Sequence, residues 1–198
     1  MELIRPERDE DAAAVRRVHE TAFPTAAEAN LVDRLRANGK AVIALVAEDG
    51  ASIVGHILFS PVALEPLAGT VGLGLAPVAV LPDHAKHGVG RRLIQNGLAE
   101  CHKWGAGFVV VIGDPPYYGR FGFEPAEKHG LRSEYVEGDS FMVFKLASGT
   151  LPPPGTLVKY APEFSALPKI QGGRQKDEGG RNSKGEGGSR KGKGKSVR

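Results

Sequence analysis

The sequence predicts an α/β domain built on a mixed sheet, and two observations support this prediction. Residues 41–60 hold two apolar, β-branched segments on either side of Asp49-Gly50, a strong turn signal, which predicts an antiparallel hairpin. An apolar segment over 71–81, a helical pattern over 89–104 and the apolar run 108–112 then follow one another. This order predicts a right-handed βαβ unit with two parallel strands. Antiparallel and parallel pairs in one chain predict a mixed sheet with helices packed against it.

The other elements follow from spacing and from turn residues. They are a strand at 2–5, helices at 9–23 and 25–38, a short helix at 114–122, and strands at 123–126 and 140–146. Thr25 is expected to cap the second helix, with Glu28 at the third helical position as in a capping box.

Pro77 interrupts the central segment 71–81. Proline has no N–H to contribute to a strand ladder, so it lies at sheet edges or at bulges. We therefore expect a β-bulge in this strand, which would leave backbone groups free to meet a ligand.

The C-terminal residues 171–198 differ in composition from the rest of the chain. They carry nine Lys or Arg against three Asp or Glu, whereas the other residues carry 17 basic and 20 acidic side chains. They hold nine of the 27 glycines and neither an aromatic residue nor a leucine, so they cannot bury enough apolar surface to offset their ordering entropy. We predict a folded domain over 1–147, a peripheral segment over 148–170 and a disordered basic tail over 171–198.

The cellular location is predicted from cysteine and hydropathy. The single cysteine, Cys101, excludes an internal disulfide, and we expect it to be a buried helix residue. No apolar run reaches the roughly 18 residues of a membrane span, and the charged N-terminus lacks an apolar signal core. A cytoplasmic protein is the simplest interpretation.

A glycine turn joins the central strand to the helix that follows it. Strand, glycine turn and helix together present unpaired N–H groups and the positive end of the helix dipole to a phosphate. We interpret this turn as a pyrophosphate cradle formed by Lys86, His87, Gly88, Val89, Gly90 and Arg91. An ordinary strand-to-helix turn is the alternative, because a pair of glycines is a weak signal.

The order of elements and two motifs resemble the GNAT superfamily of N-acetyltransferases over about residues 2–147. Residues 78–90, VAVLPDHAKHGVG, are similar to the acetyl-CoA pyrophosphate loop. Residues 113–126, GDPPYYGRFGFEPA, resemble the family's Tyr-x-x-x-Gly-Phe ending, in the form of a bacterial subgroup of predicted N-acetyltransferases. The sequence departs from the family pattern at Ala85, where Gln or Arg is usual, and at Lys86, where glycine is common.

The resemblance implies a GNAT-like acyl-CoA N-acyltransferase fold. This fold has a central mixed, mostly antiparallel sheet with a bulged, splayed central strand and flanking helices. The implied activity is transfer of an acetyl group from acetyl-CoA to a primary amine, by direct attack in a ternary complex and without a metal.

Family resemblance also implies roles for individual residues. The backbone of Val78, Ala79 and Val80 would bind the pantetheine arm of acetyl-CoA. The N–H of Val78 would polarise the thioester carbonyl, because Pro77 has no N–H. Tyr118 matches the family's general acid, since a phenol with a pKa of about 10 is protonated at neutral pH. A packed aromatic without a catalytic role is the alternative for Tyr118.

The general base stays open at this level. Many relatives use a carboxylate on the central strand, but residues 73–81 have none. Glu28 could line the acceptor site or serve only as a capping-box residue. His56 could face the cleft and titrate near neutral pH, or be a core histidine. A water chain could also act as the base.

Three other functions compete with the transferase. A dinucleotide-binding oxidoreductase would carry its glycine turn after the first strand of the fold. The third glycine of its motif is also absent here, because Leu93 occupies that position. The basic tail could make weak, nonspecific nucleic-acid contacts or recruit an acidic partner, although it lacks aromatics for stacking. An acyl-CoA-binding regulator without activity would be consistent with Ala85. The acceptor, a small-molecule or peptide amine, stays open, as does a homodimer.

Overall fold

The computed structural model describes residues 2–147 and 149–167, so the predicted disordered tail over 171–198 lies outside the described residues. The strands are β1 (Leu3–Pro6), β2 (Ile43–Asp49), β3 (Ser52–Pro61), β4 (Ala63–Glu65), β5 (Gly72–Val80), β6 (Phe108–Ile112), β7 (Glu124–Pro125), β8 (Arg132–Ser133), β9 (Phe141–Lys145) and β10 (Leu157–Lys159). The helices are α1 (Ala12–Ala22), α2 (Ala27–Ala37), α3 (Val89–Trp104) and α4 (Pro115–Gly119). Short 3-10 turns lie at Asp9–Asp11, Pro82–His84, Ala126–His129 and Pro162–Ala166.

Seven strands form the main sheet, in the order β1-β2-β3-β5-β6-β9-β7. Every neighbouring pair in it is antiparallel except β5 and β6, which are parallel and are connected through α3. The predicted mixed, mostly antiparallel sheet with its βαβ unit is therefore confirmed.

The bulge predicted at Pro77 is present in β5. Residues 57–59 of β3 lie opposite residues 75–78 of β5, so β5 contains one extra residue at this point. Pairing between β5 and β6 stops at Gly74, which lies opposite Val110. Beyond Gly74 the described residues of β5 and β6 no longer pair, and we call this unpaired stretch of the two strands the splay.

Two apolar cores hold helices against the two faces of the sheet. On one face α3 buries Leu93, Ile94 and Cys101 completely, against Ile57 and Phe59 of β3. This inner face and the bounds of α3 agree with the helical spacing in the sequence. None of the helices in residues 2–147 and 149–167 combines the length and apolarity that a membrane span requires.

Helices α1 and α2 cover the opposite face of the sheet. They bury Val15, Leu31 and Leu35 completely. Full burial of such a side chain contributes about 1.5–3 kcal/mol to stability. The sheet face that α1 and α2 cover is therefore stabilised by aliphatic packing.

The start of α2 differs from its prediction. The N-cap is Ala26, without a side-chain cap, and the hydroxyl of Thr25 accepts only the N–H of Ala27 at 3.3 Å. The predicted capping box between Thr25 and Glu28 is therefore wrong, because the chain makes a local turn at Thr25 before the helix begins.

The segment after the main sheet is joined to the domain by backbone pairing. Strand β10 pairs with β4 on one side and with β8 on the other, which forms a second sheet of three strands. Glu163 accepts hydrogen bonds from Lys40 at 2.8 Å and from Asn38 at 2.7 Å, at the end of α2. Residues 149–167 thus help to cover the α2 face of the main sheet.

Candidate active site

The turn between β5 and α3 presents the N-terminal amides of a 16-residue helix. Gly88 is the N-cap with a φ of 79°, a left-handed conformation that a Cβ disfavours, and no side chain in the described part of the chain caps the helix. The N–H of Arg92 bonds to the carbonyl of Gly88, whereas the amides of Val89, Gly90 and Arg91 have no acceptor within the helix. These three N–H groups and the helix dipole form an anion site.

Charged side chains surround this anion site. Lys86, His87 and Arg91 are exposed on the turn and in the first turn of the helix, and Lys86 and Arg91 add positive charge there. Arg92 instead stabilises the turn. Its guanidinium donates a hydrogen bond to the carbonyl of His87 at 3.3 Å and pairs with the carboxylate of Glu2. Sequence reasoning missed this role, since Glu2 is 90 residues away.

Lys86 occupies a backbone position that suits glycine. Its φ is 66°, in the left-handed region, and it is the only described residue other than glycine with a positive φ. The glycine that is common at this place in the family pattern would adopt this conformation without a Cβ clash. Lys86 therefore adopts the turn conformation that glycine would adopt, with some backbone strain.

The backbone of β5 beyond the bulge has one free side. The N–H of Leu81 donates to the carbonyl of Val54 at 2.9 Å, so these residues form a hydrogen-bonded pair of the antiparallel ladder with β3. Such pairs alternate along the ladder, so the N–H and C=O groups of Val78 and Val80 point away from β3. On that side β6 has already diverged at Gly74, and these groups face the splay.

Tyr118 is buried on α4, after the end of β6. The carboxylate of Asp114 caps α4 by accepting the N–H of Tyr117 at 3.1 Å. The ring of Tyr118 packs on the backbone of Gly113, where a Cβ would lie 2.2 Å from it, and edge-on against Phe123. Burial raises the pKa of Tyr118 above that of a free phenol, so its hydroxyl stays protonated at neutral pH.

Tyr117 connects α4 to the anion site. Its hydroxyl lies 3.3 Å from where a Cβ on Gly90 would stand, in the first turn of α3. The guanidinium of Arg120 lies over its ring at 4.6 Å from the centroid. The close approach at Gly90 lets Tyr117 reach across the open end of the splay. Nothing local in the sequence indicates this contact.

A chain of buried polar groups lies on the α1 face of the sheet. His56 on β3 is fully buried, and both of its ring nitrogens are engaged. Its Nδ1 lies 2.8 Å from Nε2 of His19 on α1, and its Nε2 lies 3.3 Å from Oε2 of Glu7. Glu7 in turn pairs with Arg36 of α2. His56 therefore lies inside the domain with its nitrogens occupied, and the partner that sequence reasoning missed is His19.

The pKa values along this chain are displaced by burial and by neighbouring charges. Burial, followed by the charges of His56 and Arg36, lowers the pKa of His19 to about 3. Burial raises the pKa of Glu7, but hydrogen bonds and charges from His56 and Arg36 outweigh it and hold that pKa below its usual value. At neutral pH His19 is uncharged and Glu7 is a carboxylate.

Six buried side-chain atoms have no hydrogen-bond partner among the described residues: His19 Nδ1, Glu28 Oε2, Ser60 Oγ, His84 Nδ1, Arg92 Nε and Tyr160 Oη. The ring of Tyr160 covers Gly74, where a Cβ would lie 2.5 Å from it, and Gly74 is the cross-strand partner of Ser60. Ser60 and Tyr160 therefore lie beside the point where β5 leaves β6. Burial, then the nearby Tyr118, raises the pKa of Tyr160, so this hydroxyl is also protonated. Residues 2–147 and 149–167 contain no cluster of three or more His, Cys, Asp or Glu that could hold a metal ion.

The bulged central strand, the βαβ unit and the unpaired amides at the start of α3 agree with the fold of an acyl-CoA-dependent transferase. Residues 3–126 match the family described as Acetyltransferase (GNAT) domain. The chain belongs to this family, which confirms the resemblance to the GNAT superfamily.

Individual relatives extend the match over most of the chain. N-acetyltransferase YhbS of Escherichia coli strain K12 is 36% identical over 165 residues, which cover 82% of this chain and 98% of that protein. The crystal structure of E. coli YhbS in complex with CoA has a TM-score of 0.76 at 35% identity, covering 83% of this chain and 92% of that one. A GNAT family acetyltransferase from Brucella melitensis in complex with acetyl-CoA has a TM-score of 0.68 at 34% identity, covering 83% of this chain and 98% of that one.

Proposed function

We propose that this protein transfers the acetyl group of acetyl-CoA to a primary amine by direct attack in a ternary complex. The observation that carries the proposal is the backbone edge at Val78 and Val80, which points away from β3 on the strand that precedes the unpaired amides of α3. The YhbS relative binds CoA and the Brucella relative binds acetyl-CoA, and both resemble this chain along most of its length.

The donor half of the site would hold acetyl-CoA mainly through the backbone. The amides of residues 89–91 bind the pyrophosphate, with charge added by Lys86, His87 and Arg91. The pantetheine arm lies along residues 78–80 and pairs with the outward groups of Val78 and Val80. The N–H of Val78 then points at the thioester carbonyl, where it stabilises the negative charge that develops on the oxygen.

Tyr118 would act as the general acid. The lone pair of the amine attacks the carbonyl carbon, the C–S bond breaks, and its electron pair leaves on sulfur. The thiolate takes the proton of the Tyr118 hydroxyl, which burial keeps in the protonated form. The attacking nitrogen loses a proton in the same step and restores the phenol.

Direct attack is favoured over an acyl-enzyme because the described residues offer no activated nucleophile near the splay. Cys101 is fully buried on α3, and burial raises the pKa of its thiol, so it stays a thiol at neutral pH. The hydroxyl of Ser60 has no hydrogen-bonded base among the described residues. A ternary complex predicts intersecting lines in initial-rate plots with both substrates varied, and parallel lines would contradict it.

The test is acetyl transfer by the full-length protein to a panel of amines. The panel comprises methylamine, hydroxylamine, spermidine, glucosamine and a lysine-containing peptide, and release of the free CoA thiol is followed. We expect at least one amine to raise thiol release above the rate without amine, and mass spectrometry to show the N-acetylated product. Thiol release that no panel amine raises would contradict the transferase and favour an acyl-CoA-binding regulator.

A further inference from the structure

We propose that Arg120 binds the 3′-phosphate of acetyl-CoA, with Tyr117 as its positioning residue, and so makes the donor site specific for the 3′-phosphorylated form. This inference rests on the function proposed above. The observation that carries it is a guanidinium held on the ring of Tyr117, whose hydroxyl lies against the first turn of α3.

The Tyr117 ring is fixed beside the start of α3. Its hydroxyl lies 3.3 Å from the position of a Cβ on Gly90, whose amide is one of the three without an acceptor inside the helix. The ring packs against Tyr118, with centroids 5.1 Å apart, and against Phe121, with centroids 5.5 Å apart. Aromatic contacts of this kind favour a defined ring orientation. Tyr117 therefore forms a fixed support between α4 and the anion site.

Arg120 lies on this support through two contacts with the same residue. The centre of its guanidinium lies over the ring, 4.6 Å from the ring centroid, which is a cation–π contact. Its Nε donates a hydrogen bond to the carbonyl of Tyr117 at 3.3 Å. The two contacts hold the guanidinium plane. Nη1 and Nη2 form no hydrogen bond with the described residues, so their N–H groups are available to a ligand.

The charge of Arg120 is also not neutralised within the described part of the chain. Arg5, Arg36 and Arg92 each pair with a carboxylate, whereas Arg120 is exposed and forms no ion pair with the described residues. Asp114, the carboxylate at the other end of α4, accepts the N–H of Tyr117 at 3.1 Å instead. An anionic ligand would supply the missing partner.

Acetyl-CoA carries two separate phosphate groups that such a site can distinguish. The amides of residues 89–91 and the helix dipole suit the pyrophosphate. The 3′-phosphate is a monoester with a charge of about −1.5 to −2 at pH 7 and three acceptor oxygens. A fixed guanidinium fork matches these oxygens with two parallel N–H···O bonds. The ribose joins the two phosphate groups, and one aromatic ring separates Arg120 from Gly90, so one donor molecule can meet both sites.

Packing alone does not account for this arginine. A lysine or a glutamine could also cover the Tyr117 ring and reach its carbonyl. The start of α3 already concentrates positive charge, because Lys86 and Arg91 lie there together with the positive end of the helix dipole. A further cation nearby is repelled by these charges, and a bound dianion relieves the repulsion.

The variant Arg120→Gln removes the charge and the fork but leaves a polar side chain beside Tyr117. The matched control is Arg17→Gln, because Arg17 is likewise exposed and lies on α1, against the other face of the sheet. Both variants are made in the full chain. Calorimetry measures the Kd of each protein for acetyl-CoA and for acetyl-dephospho-CoA, which lacks only the 3′-phosphate.

The ratio of the two Kd values tests the contact. We expect the wild type and Arg17→Gln to bind acetyl-CoA at least about tenfold more tightly than acetyl-dephospho-CoA. In Arg120→Gln this preference should fall to about twofold or less, with the Kd for acetyl-dephospho-CoA unchanged within about twofold. An unchanged preference, or an equal loss of affinity for both ligands, would overturn the role of Arg120. A wild-type protein that binds neither ligand would contradict the proposed function itself.

Phosphorus-31 spectra of CoA bound to the full-length protein test the same contact at the atom concerned. A phosphate monoester loses its second proton with a pKa of about 6, and a guanidinium contact favours the dianion. The pKa of the bound 3′-phosphate should therefore lie below that of free CoA in the wild type and rise toward it in Arg120→Gln. The pyrophosphate signals should shift on binding in both proteins. Equal pKa values of the 3′-phosphate in the two complexes would overturn the proposal.

Discussion

The two halves of the candidate active site use different kinds of polar group. On the α3 side, the groups proposed to contact the ligand belong to the backbone: the amides of residues 89–91 and the edge of Val78 and Val80 that points away from β3. On the α1 side, the polar groups are side chains that converge from separate elements, with His19 and His56 joined through a 2.8 Å contact. Backbone contacts do not titrate, whereas the side-chain network contains a neutral histidine and a buried carboxylate.

This difference predicts that substitutions in the two halves affect different measured properties. Substitutions on the α3 side should change affinity for acetyl-CoA, and substitutions on the α1 side should change the pH dependence of stability. Tyr118 belongs to the α3-side core, but its proposed role is to protonate the departing thiolate and not to hold acetyl-CoA. It should therefore affect the chemical step without affecting donor binding.

The largest effect is expected for Tyr118→Phe. The phenylalanine ring keeps the packing on Gly113, but the departing thiolate loses its proton donor. Turnover should fall at least about tenfold while the Kd for acetyl-CoA stays within about twofold. Thiol-release kinetics and calorimetry check this, with Tyr135→Phe as the control. Unchanged turnover would remove Tyr118 from the mechanism.

The next effect is a loss of stability in acid through His19. Its folded pKa of about 3 lies below the ordinary 6.5, so only the unfolded chain takes up this proton as the pH falls. The contribution is complete above about pH 6.5 and is lost progressively below it, by about 2 kcal/mol at pH 5. The pKa of Glu7 is also lowered, so protonation of Glu7 affects stability only below its ordinary pKa of 4.5. This lies outside the interval between pH 5 and pH 6.5.

Urea unfolding of wild-type protein and His19→Gln at pH 7 and pH 5 measures this contribution. The free energy of unfolding of the wild type should fall more than that of the variant over this interval. Identical falls would mean that His19 is protonated in the folded protein, contrary to its burial.

A smaller effect is expected for Gly88→Ala. A Cβ at a φ of 79° strains the backbone by about 1 kcal/mol and projects from the turn that holds the pyrophosphate. Gly39→Ala is the matched control, because Gly39 has a φ of 66° and open space around its Cβ position, at the end of α2. Both variants should lose similar stability, but only Gly88→Ala should weaken acetyl-CoA binding, by at least about threefold. Equal affinities would place the pyrophosphate elsewhere.

The smallest effect is expected for Lys86→Gly. Glycine relieves the left-handed strain at a φ of 66° but adds freedom to the unfolded chain, so a net gain of about 0.5 kcal/mol is expected. The melting temperature measures this gain. A lower melting temperature would show that the lysine side chain stabilises the turn by more than its backbone strain costs.

The sequence predicts the fold around the proposed donor half well because the signals there are local. Helix α3 begins after Gly88 and ends before Gly105, as predicted. Pro77 marks the bulge after which the backbone groups of Val78 and Val80 point away from β3. Each of these depends on backbone conformations that glycine or proline imposes on its own neighbourhood.

The buried polar chain on the α1 side is not visible in the sequence because no local pattern connects its members. His19 occupies a position of the buried stripe of α1, where it is read as part of the core, and its partner His56 is 37 residues away. The capping box expected at Thr25 and Glu28 fails for a related reason, since a matching spacing does not ensure that the helix begins there. Only the folded arrangement shows which nitrogen is left without a partner.

Calorimetric titration of acetyl-CoA into the full-length protein, with NAD as the control ligand, tests the central claim most directly. The backbone cradle and the free strand edge predict micromolar binding of acetyl-CoA and none of NAD, and a weaker affinity in Gly88→Ala. Absence of acetyl-CoA binding at millimolar concentration would contradict this proposal. It would mean that the loop containing Ala85 and Lys86 no longer binds acetyl-CoA.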